Sequence, residues 1–202
     1  MVRVLSKATG PFMGSLHLTL ASASPRRRDL LARLGVEPNA VSPADIDETS
    51  LKGERPRDYA LRMGREKALA VDAPGFVLAG DTVVAAGRRI LPKTEEEAEA
   101  RECLKLLSGR RHVVLSSVVL RSPDGTFRER LNENIVRFKN LSDEEIAAYL
   151  ASGDWEGKAG GYAIQGAAEG LVQWIKGSHS GVMGLPLYET RALLRSAGFP
   201  IG

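Results

Sequence analysis

The sequence predicts an α/β protein built on a mixed β-sheet, and three observations carry that prediction. Strand-like apolar runs alternate with helix-period segments along most of the 202 residues. Several neighbouring strands have no helix between them, so part of the sheet runs antiparallel. No internal repeat is present. A further expectation is that residues 1–14 form an N-terminal extension, with Met13 an alternative start, and that residues 15–202 form a single domain.

Residues 16–20 alternate and then run apolar, as a half-buried strand does. Ser24 suits the N-cap, and Pro25 the first position, of a helix whose buried stripe is Leu30, Leu31 and Leu34. Residues 56–71 read as a second helix and residues 76–86 as one or two apolar strands. Thr94 with Glu97 offers a capping box for a helix ending near Gly109. Residues 112–120 read as a strand, Pro123-Asp124-Gly125 as a turn, and residues 133–139 as the hairpin partner. Ser142 with Glu145 caps a helix running to Gly153. A glycine-rich stretch, residues 157–170, leads to a strand at 171–175, and the last helix begins near Pro186.

Composition excludes several classes. No apolar run approaches the roughly 18 residues of a membrane span. Residues 1–14 lack the apolar core of a signal peptide. The net charge of +3 is mild and scattered, and aromatics are only 5%, which argues against a nucleic-acid platform. The single cysteine, Cys103, allows no internal disulfide and points to a reducing, cytoplasmic setting. Its neighbours Ala100, Leu104 and Leu107 mark it as a buried small hydrophobe. His17, His112 and His179 have no zinc-like spacing.

The chemistry concentrates elsewhere. Ser22, Ser24, Arg26 and Arg27 converge on the first helix's N-terminus, where unpaired N–H groups and guanidinium groups suit a phosphate. At about 100° per residue, Arg27 falls near the middle of the buried stripe, Arg26 on its flank, and Arg28 toward solvent. Asp81 interrupts Phe76-Val77-Leu78-Ala79-Gly80-Asp81-Thr82-Val83-Val84, a segment otherwise suited to burial, and so needs a cation, a metal or a donor network. The plain alternative is that Gly80-Asp81 forms a hairpin turn. Lys67 lies on the face of Ala60, Met63 and Val71, where snorkelling to solvent is the plain reading. Lys93 can reach the same cleft from a loop. Asp45, Asp47 and Glu48 form an acidic loop that, with Asp81, suits a magnesium-type ion. No P-loop, dinucleotide fingerprint or nucleophile elbow occurs.

These residues carry a resemblance. Leu20-Ala21-Ser22-Ala23-Ser24-Pro25-Arg26-Arg27, Asp45-Ile46-Asp47-Glu48, Arg65-Glu66-Lys67-Ala68 and Asp81-Thr82-Val83-Val84 are similar to blocks of the Maf family. So are Leu107-Ser108-Gly109, Gly157-Lys158-Ala159-Gly160-Gly161-Tyr162-Ala163-Ile164-Gln165-Gly166 and Gly184-Leu185-Pro186-Leu187. The resemblance implies a two-lobed α/β fold with a cleft around a mixed, twisted sheet, related to the inosine triphosphatases. It implies a nucleoside triphosphate pyrophosphatase with Asp81 as catalytic base and a required divalent cation, magnesium or manganese. Glu48 and Asp81 are the expected metal ligands on the residues' own chemistry, and in the alternative role Asp81 holds the metal while a bound hydroxide attacks. Ser22, Arg27, Glu48, Lys67 and Lys93 match its other polar cleft positions, and Ser24 at the helix N-terminus is a further expected substrate contact. Arg26, Thr82 and Gln165 match the positions that set base preference, with the identities of the dTTP and UTP branch. Other readings are the same reaction on 7-methyl-GTP or modified nucleotides, and a non-catalytic nucleotide-binding regulator of cell division. A homodimer is common in the family.

Three departures from the family pattern stand out. Gly80 replaces a usual alanine, Pro92-Lys93-Thr94 stands where Gly-Lys-Pro is usual, and Ser180-Gly181-Val182 lacks an asparagine before the valine. None removes a charged group.

Overall fold

The computed structural model describes residues 17–202. The expected extension, Met13 and Leu16 lie outside them. In chain order, the first half contains β1 (Leu18–Leu20), α1 (Pro25–Ala32), β2 (Ala40–Val41), α2 (Pro56–Ala70), β3 (Phe76–Ala86), β4 (Arg89–Leu91), β5 (Lys93–Thr94) and α3 (Glu97–Leu107). The second half contains β6 (Arg111–Arg121), β7 (Phe127–Phe138), α4 (Asp143–Leu150), β8 (Lys158–Ala159), a 3-10 turn (Ala167–Leu171), β9 (Val172–Lys176), α5 (His179–Met183) and α6 (Leu187–Ser196).

A seven-stranded sheet has the order β2-β1-β3-β6-β7-β9, with β4 added beside β3, while β5 and β8 form a separate ladder. β1 is parallel to β2 and β3, and the remaining pairs are antiparallel. The α/β class and the mixed sheet agree with expectation.

The long central strand β3 explains where the cleft lies. β6 pairs with one edge of β3 from Val77 to Ala85. The other edge is divided: β1 pairs with residues 76–78 and β4 with residues 84–86. Among the described residues, 79–83 have no strand partner on that edge. β1 ends there because the chain turns away into α1 after the Ala21 N–H donates to the Leu78 carbonyl (2.8 Å). A crevice therefore opens beyond the carboxyl end of a parallel strand, the usual ligand position in such sheets.

Alternation along β3 then assigns the two sides of the crevice. Val77, Ala79 and Val83 pack in the smaller clusters with Ala60, Met63 and Ala68 of α2. Leu78 and Val84 face the larger core, with Leu30, Leu104, Ile146 and Leu193. By this parity Asp81 projects toward α2, and Thr82 toward α1 and α5. Glycine stands at two points where α2, β3 and β6 approach closely in this chain. A Cβ on Gly64 would lie 2.6 Å from Ser117 Oγ, and one on Gly80 would lie 2.4 Å from the Ser117 carbonyl oxygen.

Most helices and strands occur within a few residues of their expected positions. The Ser142–Glu145 capping box is formed in both directions (3.2 and 3.0 Å). The Thr94–Glu97 box is not. Thr94 pairs with Lys158 in the β5–β8 ladder, its hydroxyl donates to the Trp155 carbonyl (2.9 Å), and Glu96 occupies the N-cap. Ser24 is the N-cap of α1, but its side chain makes no capping bond. The hairpin partner begins at Phe127 rather than Glu133, because polar outward residues hid its first half. Gly80-Asp81 is continuous strand, not a turn.

The glycine-rich segment is fastened from behind. His112 of β6 and Tyr162 share a buried hydrogen bond (2.7 Å), and both rings meet Phe138 edge-on. Burial lowers the His112 pKa from 6.5 to about 4. The unfolded chain therefore takes up a proton first as pH falls. The contribution of His112 is complete above the ordinary value of 6.5 and is lost as pH falls toward about 4.

Two outcomes follow from this packing. Gly80→Ala should destabilise the protein by about 1–3 kcal/mol, because the contact is with backbone; an unchanged urea midpoint would contradict the close approach. Across the acidic window, stability should fall by about 3 kcal/mol through His112 alone. His112→Gln should flatten the pH dependence of the melting temperature between pH 6.5 and 4, and an unaltered slope would count against burial of a neutral imidazole.

Candidate active site

The crevice is a cavity of about 380 Å³ into which α1, α2, β3 and the glycine-rich segment all contribute side chains. Its first wall is the N-terminus of α1. Ser22 Oγ accepts from the Ser24 N–H (3.2 Å) and from Arg27 Nη1 (2.9 Å). Arg27 donates further to the Gly184 carbonyl through Nε (2.9 Å) and to Thr82 Oγ1 through Nη2 (3.2 Å). Thr82 Oγ1 also bonds Ser116 Oγ (3.1 Å), and Ser116 donates to the Gly181 carbonyl (2.7 Å). Arg27 thus ties α1, β3, β6 and α5 together through neutral partners, and among the described residues no carboxylate pairs with it directly. Burial lowers its pKa, while Asp81 and Glu48 oppose that shift. A guanidinium remains charged throughout.

Arg26 lines the cavity, and its side chain makes no hydrogen bond among the described residues. Burial and the neighbouring Arg27 both lower its pKa. Arg28 is exposed, as its angular position requires.

The opposite wall is an ion cluster. Lys67 of α2 is 6% exposed and Asp81 of β3 is 3% exposed. Lys67 Nζ lies 2.7 Å from Asp81 Oδ1 and 2.8 Å from Glu48 Oε1. Glu48 Oε2 meets Lys93 Nζ at 2.5 Å. Lys67 does not snorkel; it sits between two carboxylates. The Asp81 N–H donates to Ser117 Oγ (3.0 Å). Burial alone would raise the Glu48 pKa, but hydrogen bonds from Lys67 and Lys93 outweigh it and hold the carboxyl below its ordinary range. Lys93 arrives on strand β5 rather than on the expected loop.

Gln165 and Lys158 complete the lining. The Gln165 side chain is exposed and makes no hydrogen bond among the described residues. Lys158 has a lowered pKa through burial and then through Arg26.

The structure therefore brings Ser22, Ser24, Arg26, Arg27, Glu48, Lys67, Asp81, Thr82, Lys93 and Gln165 to one cavity. Asp45 and Asp47 of the acidic loop stay outside it. Asp47 turns back to accept from the Thr49 N–H (2.8 Å). Ser116, Ser117, Tyr59 and Lys158 were missed in the sequence. The two serines interrupt a buried apolar strand just as Asp81 does, and that misfit was the available signal. Lys158 was hidden inside a glycine-rich block, and nothing local distinguished Tyr59 from a core aromatic.

Among the described residues no group of three or more His, Cys, Asp or Glu side chains could hold a metal. Glu48 and Asp81 nevertheless converge on one lysine ammonium. A magnesium-type ion takes one or two carboxylates and completes its shell with substrate phosphates and water. The pair fits an ion brought with a polyphosphate.

Comparison with known proteins places the chain. It is 64% identical over 194 residues to a dTTP/UTP pyrophosphatase of Novosphingobium aromaticivorans, covering 95% of this chain and 96% of that one. It is 60% identical to a dTTP/UTP pyrophosphatase of Caulobacter vibrioides, covering 90% and 96%, and 59% identical to one of Zymomonas mobilis, covering 91% and 93%. Among solved structures, a HAM1 protein from Coxiella burnetii aligns over 89% of this chain and 98% of that one, at 17% identity and a TM-score of 0.45. Residues 17–197 match the family described as Maf-like protein. The chain belongs to the Maf family.

Proposed function

We propose that this protein hydrolyses dTTP and UTP between the α and β phosphates, releasing the monophosphate and pyrophosphate. The observation that carries the reading is the junction of two features in one cavity: a helix N-terminus bearing Arg26 and Arg27, and the buried Lys67–Asp81 pair. The Novosphingobium, Caulobacter and Zymomonas relatives bear that activity in their names. Buried free Cys103 accords with a reducing, cytoplasmic setting.

Cleavage of a phosphoanhydride is mainly positioning and charge neutralisation. Arg27, Lys67 and Lys93 supply the positive charge, beside the positive end of the α1 dipole. Asp81 orients the attacking water and accepts its proton. Lys67 holds one oxygen of that carboxylate, fixing the direction of the other. Glu48 and Asp81 would hold a divalent cation, which when bound acts as a Lewis acid on the phosphate oxygens. Arg26 and Gln165, whose side chains have no hydrogen-bond partner among the described residues, are left to meet the nucleoside. Gln165 offers both a donor and an acceptor to a pyrimidine edge. Thr82 acts on preference indirectly, since its hydroxyl is committed to Arg27 and Ser116.

Asp81→Asn should lower kcat by about 10²–10⁴-fold while nucleotide binding stays measurable. Lost binding with normal turnover of bound substrate would remove Asp81 from the proton-accepting role. Pyrophosphate release from dTTP and UTP should exceed that from GTP and 7-methyl-GTP and stop on adding EDTA. Arg26→Trp should weaken use of dTTP, and a variant that used it unchanged would remove Arg26 from base recognition.

A further inference from the structure

Glu48 sits in a segment that has no helix or strand of its own. Residues 42–55 are irregular, and among the described residues the stretch 43–54 has one backbone–backbone bond, from the Glu54 N–H to the Leu51 carbonyl (3.0 Å). A carboxylate that must contact two lysines needs better support than that. The support comes from two side chains one helical turn apart on α2. Tyr59 Oη donates to the carbonyl of Glu48 itself (2.7 Å). Arg62 Nη2 donates to the next carbonyl along the chain, that of Thr49 (3.1 Å).

Arg62 also clasps Glu54 with both arms of its guanidinium, Nε to Oε1 and Nη2 to Oε2, each 2.7 Å. Glu54 Oε2 in turn accepts from the Leu51 N–H (2.9 Å), which closes the far end of the segment. The Arg62 guanidinium lies 5.5 Å from the centre of the Tyr59 ring, so the two clamps brace one another. Tyr59 is itself buried among Ala60, Met63, Val83 and Leu115, with Ile46 of the segment packed against the same cluster. Its hydroxyl is therefore held in place from behind.

We infer that Tyr59 and Arg62 are positioning residues that set the Glu48 carboxylate between Lys67 and Lys93. Neither needs to touch substrate. They act by making α2, which already carries Lys67, the template for the acidic segment, so that Glu48 and Asp81 keep a fixed relation to one ammonium. This inference rests on the pyrophosphatase reading for its kinetic arm only.

The test uses Tyr59→Phe, which keeps the ring and removes only the donor, in the full chain. Amide hydrogen exchange should rise in residues 43–54 and stay unchanged in 76–86. With dTTP and magnesium, kcat should fall about tenfold with little change in KM, because the phosphate-facing cations of α1 are untouched. In a Glu48→Ala background the same substitution should have no further effect on kcat. Arg62→Lys, which loses the two-armed clasp, should raise exchange in the same segment. Wild-type exchange in residues 43–54 of Tyr59→Phe would overturn the clamp. A full tenfold loss on top of Glu48→Ala would also overturn it, by showing that the tyrosine acts elsewhere. A wild-type protein inactive on every nucleotide would instead defeat the pyrophosphatase reading, and the exchange arm would still decide the clamp.

Discussion

The rest of the site is arranged around one buried contact, the ammonium of Lys67 against the carboxylate of Asp81. Withdrawing two charges from water is costly, and such a pair persists only where geometry is good and further polar partners are present. Each nearby feature of the fold meets one of those needs. Gly64 and Gly80 let α2, β3 and β6 approach until both charges share one small space. Ser117 supplies the hydroxyl that receives the Asp81 N–H. Glu48 gives Lys67 a second anion, and the divided edge of β3 leaves the pair open to the cavity. A fully paired strand in that place would have sealed it.

The charge balance of the cavity differs from that of the chain. Arg26, Arg27, Lys67, Lys93 and Lys158 line it against only Glu48 and Asp81. Whole-chain charge is nearly even, so the attraction for an anion is local. Arg27 and Arg26 divide the work differently from what adjacency suggests. The former spends its donors on Ser22, Thr82 and Gly184 and stiffens the wall, while the side chain of the latter makes no hydrogen bond among the described residues. Two arginines side by side in sequence thus become one structural and one recognitive group.

What could be read in advance followed from misfit. Asp81 and Lys67 were visible because a charge sat where periodicity demanded an apolar side chain. Arg27 was visible because helical geometry turned it inward. Ser142 with Glu145 was visible because a capping box is a local device. Thr94 with Glu97 matched the same pattern and failed, because pairing of β5 with β8, distant in sequence, claimed the threonine first. The divided edge of β3 was invisible, since it depends on where β1 and β4 stop. Tyr59 and Arg62 were invisible for a related reason. Their partners are backbone carbonyls of an irregular segment, and no side-chain pattern records those.

The central claim is that water attacks the α phosphorus beside Asp81, and the position of the new oxygen tests it most directly. Hydrolysis of dTTP in ¹⁸O-water, followed by mass spectrometry of both products, should place the label in the monophosphate and leave pyrophosphate unlabelled. Label in the pyrophosphate, or in free phosphate, would place the attack at another phosphorus and contradict the account.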